Sequence, residues 1–177
     1  WATHGEPNQT NSHPHVSMDG KLALVHNGII ENYQAIKATL LKRGYTFKTE
    51  TDTEVLANLV HFHYDGNLES AVREALRHVD GTYGIAVMHA DEPSKIVGAR
   101  LGSPLIVGLG DGEFFIASDV AAMLSETRQV IYLDDGECVV ITPDGVDTCT
   151  IANEAVTKKV EEVTWDLEIG RASCRER

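Results

Sequence analysis

After Asp80-Gly81 the chain changes character: short β-rich runs punctuated by turn signals replace the helical periodicity that precedes them. The runs are Tyr83 to Ala90, Lys95 to Ala99, Leu105 to Leu109, Glu113 to Ala117, Val130 to Leu133, Glu137 to Ile141 and Val146 to Ile151. Most read as antiparallel strands, and Asp119 to Leu124 is long enough for one helical turn or two. Upstream, Lys21 to Ile30 reads as a strand and three helices follow. Asn32 stands where it can cap the first, whose apolar positions Ile36, Leu40 and Leu41 fall at helical spacing before Gly44 ends it. Thr51-Asp52-Thr53-Glu54 fits a capping box, with Thr51 as cap, Glu54 reaching back, and Val55, Leu56, Leu59 and Val60 forming the buried stripe. Leu68, Val72 and Leu76 mark the third helix. Helices in one half and strands in the other define an α+β class with helices layered on antiparallel sheet, not a doubly wound parallel sheet.

The 177 residues, 42% of them hydrophobic, suffice for one core and one domain. No apolar run approaches the roughly 20 residues of a membrane span, and Trp1-Ala2-Thr3-His4-Gly5 has neither the basic nor the apolar region of a signal peptide, so a cytoplasmic location is expected. A formal charge of -12 argues against a nucleic-acid partner, which requires clustered Lys and Arg. Three cysteines are too few for a disulfide framework, and Cys138 and Cys149 sit in strand-like sequence. The tail Glu168 to Arg177, which contains Cys174, resembles the translation of a sequencing adapter. Removing its three Arg and two Glu takes the charge from -12 to -13. The natural sequence is expected to end near Leu167, and both ends read as cut.

The stretch Leu24-Val25-His26-Asn27-Gly28-Ile29-Ile30 places a polar amide inside an apolar run. Two readings stay open: a hairpin turn of Asn-Gly type, or a strand that offers backbone and side chain to a ligand. Other candidates are weaker. Gly108-Leu109-Gly110-Asp111-Gly112 lacks dinucleotide spacing and runs into a strand, so it reads as a hairpin turn and not a phosphate loop. His13 and His15 lie in a Pro-containing loop without a cluster of Cys or carboxylates. His61 and His63, two apart on a helix, point away from each other, so no metal or other cofactor is expected. No nucleophile elbow is present, and neither Cys138 nor Cys149 sits where a thiol pKa would be depressed. Asp52 at the first helical position is explained by the helix dipole alone, for about 0.3 to 1 kcal/mol.

Seven segments follow one another in a telling order: Trp1-Ala2-Thr3-His4-Gly5, Asn11-Ser12-His13-Pro14-His15, His26 to Asn32, Glu50-Thr51-Asp52-Thr53-Glu54-Val55, Gly81-Thr82-Tyr83-Gly84, Gly102-Ser103-Pro104-Leu105 and Phe115-Ile116-Ala117-Ser118-Asp119. In that order they resemble the glutaminase domain of the glucosamine-6-phosphate synthase family, the isomerising glutamine–fructose-6-phosphate aminotransferases, from Trp1 to about Leu167. The resemblance implies an N-terminal-nucleophile hydrolase domain: a four-layer αββα sandwich, here lacking its first strands, that hydrolyses L-glutamine to glutamate and ammonia. It implies a sugar isomerase domain elsewhere in the full protein, which uses the ammonia to turn fructose 6-phosphate into glucosamine 6-phosphate, and a homo-oligomer when complete. In that family the nucleophile is the thiol of the first residue of the mature chain, with its own α-amine as base.

Carried over by position, Asn27 matches the side-chain amide and Gly28 the backbone N–H of the oxyanion hole, and Asp52 the carboxylate that binds the glutamine α-amine. Trp1, Thr3 and His4 match the loop that closes over glutamine, which excludes competing water. The family's cysteine and its carboxylate-clamping arginine fall upstream of Trp1, so the 177-residue polypeptide is expected to have no glutaminase activity of its own. An amidophosphoribosyltransferase type is the rival within the enzyme class; a non-catalytic glutamine-binding module is the rival outside it. Without the first strands, apolar sheet faces and strand edges are left uncovered.

Overall fold

The structure, a computed structural model, describes Glu6 and residues 8–164. The proposed closing loop with Trp1, Thr3 and His4, and the adapter-like tail from Glu168, lie outside the described residues. In chain order the elements are β1 (His15–Val16), β2 (Leu22–Ile30), α1 (Tyr33–Lys42), α2 (Asp52–His63), α3 (Leu68–Leu76), β3 (Gly81–His89), β4 (Glu92–Leu101), β5 (Ile106–Leu109), β6 (Phe114–Ala117), a 3-10 turn at Val120–Ala122, β7 (Gln129–Tyr132), β8 (Glu137–Thr142), β9 (Gly145–Thr150) and β10 (Glu161–Glu162). None of the described helices is long and apolar enough to cross a membrane.

Two antiparallel sheets form, six strands in the order β1-β2-β3-β4-β8-β9 and four in the order β10-β7-β5-β6. The α+β expectation holds. Alternation in β2 turns Leu22, Leu24, His26 and Ile30 toward the helices, where they join Leu40, Val55, Leu56, Val60, Val72 and Ala75 in the larger core. Helix α2 lies against the sheet and is buried from Asp52 to Val60, a wider band than the four-residue stripe in its sequence. The second core lies between the sheets, where Leu105, Val107, Ile131 and Leu133 meet Val139 and Ile141. Beyond the four-stranded sheet, Val120, Met123 and Leu124 of the 3-10 turn and its flank pack with Ile106 and Val130. The fourth layer of the sandwich is thus a single short turn among the described residues.

Several local expectations need correction. Asn32 precedes α1 without capping it: its amide donates to His78 O at 2.9 Å and accepts from Asp80 N at 3.1 Å, tying the helix start to the start of β3. Leu41 is exposed, although it belongs to the apolar spacing. Gly44 does close α1: its N–H donates to Leu41 O and that of Tyr45 to Leu40 O, the two bonds of a Schellman motif. At α2, Thr51 Oγ1 accepts from Glu54 N at 3.2 Å as a cap should, but Glu54 does not reach back to Thr51. Its buried carboxylate accepts Lys48 N, Thr49 N and Thr49 Oγ1 at 2.7–2.8 Å, so it orders the loop before the helix. The glycine-rich run is the turn between β5 and β6, with Gly110 N donating to Glu113 O.

Candidate functional site

Asn27 lies in the middle of β2, paired in register with Gly84 of β3, on the face opposite the helices. The Asn-Gly pair is therefore part of a continuous strand and not a hairpin turn. Gly28 has φ +133° and Gly81, across the ladder, φ +131°. A methyl on Gly28 would overlap the Thr82 carbonyl oxygen, and one on Gly81 would overlap the Ile29 carbonyl oxygen. Only glycine tolerates that conformation and that approach, so the two backbones come close at this point.

A small cavity of about 160 Å³ opens beside Asn27. Its walls bring together residues far apart in sequence: His13, then His26 and Asn27, then Gly84, then Leu105, then Ile116, Ala117 and Ser118. They fall in five of the seven segments described above.

Beneath the cavity runs a polar chain whose inner members, His26 and Thr53, are buried. His26 Nε2 lies 3.2 Å from Thr82 O and Nδ1 lies 3.1 Å from Thr53 Oγ1. A carbonyl can only accept, so Nε2 carries a proton. Thr53 Oγ1, which donates to Asp52 Oδ1 at 3.5 Å, is also 3.4 Å from His13 Nε2. Burial lowers the His13 pKa, and the neighbouring His15 and His26 lower it further. Burial also lowers that of His15, against the opposing pull of Glu54 and Asp52. Both rings are thus held toward the neutral form, in which each nitrogen can be a donor or an acceptor but not a cation.

Asp52 is 2% exposed and begins α2. Its Oδ2 accepts the Ile30 N–H at 2.8 Å, which places the carboxylate two residues along the strand from Gly28. The helix N-terminus stabilises its charge. Among the described residues no three His, Cys, Asp or Glu side chains gather as metal ligands. His61 turns to Tyr45 and Asp19 while His63 stacks on His78, so the two point apart as their spacing requires. Cys138 is fully buried in β8 opposite Cys149 of β9, and burial pushes its thiol up to about 12, which removes it as a nucleophile.

Local sequence offers His13 only as a candidate metal ligand and does not single out Thr53 or Thr82 for this site. The signal was available in one form: all three sit inside the seven segments.

The α+β fold with two antiparallel sheets is shared with solved glutamine amidotransferases. The glutamine amidotransferase domain family matches residues 5–125, and the chain belongs to that family. The isomerising glutamine–fructose-6-phosphate aminotransferase of Chlorobaculum tepidum is 52% identical over 172 residues, which cover 95% of this chain and 28% of that protein. The one from Clostridium perfringens is 52% identical over 168 residues, with the same coverage of 95% and 28%. Among solved structures, the glutamine phosphoribosylpyrophosphate amidotransferase of B. subtilis superposes with a TM-score of 0.66 at 26% identity, over 81% of this chain and 32% of that one. The chain spans 28% of the length of these curated relatives.

Proposed function

We propose that this chain is the greater part of the glutamine-hydrolysing domain of an isomerising glutamine–fructose-6-phosphate aminotransferase, working in the cytoplasm. The observation that carries the reading is convergence: five of the ordered segments supply the walls of one cavity beside Asn27, and a sixth supplies Thr53 beneath it. In this reading glutamine's side-chain amide enters the cavity and a thiol from outside these residues attacks its carbonyl carbon. The Asn27 amide and the Gly28 N–H receive the oxyanion that forms, each donor contributing about 2.7–4 kcal/mol to the transition state. Collapse of the tetrahedral intermediate expels ammonia, and water then releases glutamate from the thioester. The ammonia passes to a sugar isomerase domain of the same protein, which makes glucosamine 6-phosphate from fructose 6-phosphate.

Asp52 holds the substrate α-ammonium, its own charge stabilised by the helix start. Trp1, Thr3 and His4 form the closing loop. A cavity of about 160 Å³ suits an amino-acid side chain better than the 300–1,000 Å³ sites of larger ligands.

The test is glutamate release from glutamine. The 177-residue chain alone is expected to release none, and the complete reading frame that contains it to release glutamate at a rate that Asn27→Ala lowers by about 10²- to 10³-fold. Glutamine binding without hydrolysis by the complete protein would favour the non-catalytic module instead. Ammonia transfer to phosphoribosylpyrophosphate would favour the amidophosphoribosyltransferase type.

A further inference from the structure

The segment Gly81-Thr82-Tyr83-Gly84 gives the cavity Gly84 and leaves Thr82 without a part in the chemistry. Yet Thr82 meets β2 through both of its oxygens. Its carbonyl is held by His26 Nε2 at 3.2 Å and stands against Gly28, where a side chain would overlap it. Its hydroxyl Oγ1 accepts the Ile29 N–H at 3.2 Å. That N–H belongs to the peptide group whose other half is the Gly28 carbonyl. The carbonyl of Thr82 therefore stands where a side chain on residue 28 would be, at the Gly28 φ of +133°, and the hydroxyl holds the N–H of the peptide plane that follows. On its far side the Thr82 methyl lies over Gly102, in the Gly102-Ser103-Pro104-Leu105 turn, and leaves no room for a side chain there. Asp135 Oδ1 in turn holds Gly102 N at 2.9 Å.

From these contacts we propose that Thr82 is the positioning residue of the Asn27-Gly28 pair, acting through its hydroxyl on the Gly28–Ile29 peptide. The inference rests on the reading of that pair as the oxyanion donors. A hydroxyl at this ladder position is a property of Thr or Ser alone; Val has the same shape and supplies none. An oxyanion donor must be aimed before charge develops, and small misplacements are costly.

In the complete protein, Thr82→Val is expected to lower kcat for glutamine hydrolysis about tenfold with KM within about twofold of wild type, because the loss falls on the transition state. Thr82→Ser, which keeps the hydroxyl, is expected to stay within about twofold on both constants. An undiminished kcat in Thr82→Val overturns the proposal. So does a loss in Thr82→Ser equal to or greater than that in Thr82→Val, which would assign the effect to the methyl over Gly102. Asn27→Ala separates the two levels: if it leaves kcat unchanged, the oxyanion-hole reading fails; if it lowers kcat while Thr82→Val leaves kcat at the wild-type value, only the role of Thr82 fails. Amide hydrogen exchange gives a readout that needs no activity. The Ile29 N–H is expected to be protected in the wild-type 177-residue chain and to exchange about tenfold faster in Thr82→Val. An unprotected Ile29 amide in the wild type overturns the proposal.

Discussion

The Ile30 N–H donates to Asp52 Oδ2 at 2.8 Å, so the last residue of a strand and the first residue of a helix are joined by one buried hydrogen bond. The bond fixes where the helix N-terminus stands relative to Gly28. Asp52→Ala removes the acceptor and strands a buried N–H, which is expected to destabilise the fold by about 1–3 kcal/mol in urea unfolding. Asp52→Asn keeps an oxygen in place and is expected to cost about 1 kcal/mol or less. If Asp52 holds the substrate α-ammonium as proposed, the same Asn variant in the complete protein should raise KM for glutamine.

Gly28→Ala is expected to be among the most disruptive single-methyl changes in the chain. The added carbon meets the Thr82 carbonyl at a φ of +133°, and neither backbone can retreat without breaking the β2–β3 ladder. A loss of at least about 2–3 kcal/mol follows from strain and overlap together. Gly44→Ala is the control: φ is +89° there, but nothing lies within 4 Å of the new carbon, so the cost should be about 1–2 kcal/mol. Paired thermal and urea melts of the two variants check the difference.

The pH dependence of stability should carry the mark of His13 and His15, both lowered from the ordinary 6.5 chiefly by burial. Below 6.5 the unfolded chain takes up protons at these positions before the folded chain does. Stability from this source is thus fully present above pH 6.5 and falls as pH drops toward the lowered folded-state values. Urea midpoints between pH 7.5 and 5 test it, and His13→Gln with His15→Gln should flatten the slope.

Lys158 Nζ lies 2.7 Å from Glu137 Oε2 and 2.8 Å from Asp134 Oδ2. The lysine and Glu137 side chains are 12% and 9% exposed, whereas Asp134 is 83% exposed. Lys158→Met leaves the Glu137 carboxylate buried without its cation and is expected to cost about 3 kcal/mol. Asp134→Asn should leave stability nearly unchanged, as the loss of an exposed pair does. A Lys158→Met, Glu137→Leu double variant should recover most of the loss, measured as a thermodynamic cycle.

Much of the fold could be read from local pattern. An apolar run marked β2, helical spacing marked α2 and α3, and turn residues bounded most strands to within a few residues. What failed was decided by distant partners. Asn32 has a good capping side chain, but His78 and Asp80 claim its amide; Glu54 has the capping-box spacing, but Lys48 and Thr49 present their N–H groups first. β4 begins at Glu92 and not at Lys95, because its polar first residues pair with β3 where no apolar pattern signals a strand. Asn27 and Gly28 stood out in the sequence because a polar amide broke an apolar run. Thr82 did not, because a threonine in a strand is ordinary until the register sets it opposite Ile29, 53 positions away.

The six-stranded sheet is wider than the four-stranded sheet that packs on it, and Val16, Val25, Ile29 and Met88 remain 41–44% exposed on its uncovered portion. This geometry makes the colloidal behaviour of the chain a contest between charge and grease. At a net charge of -12 copies repel one another across a screening length of about 30 Å in 0.01 M salt, which shrinks to about 8 Å at 0.15 M. Static light scattering at fixed protein concentration should therefore rise with added salt. Replacing Val25 and Met88 by threonine should suppress that rise without touching the net charge.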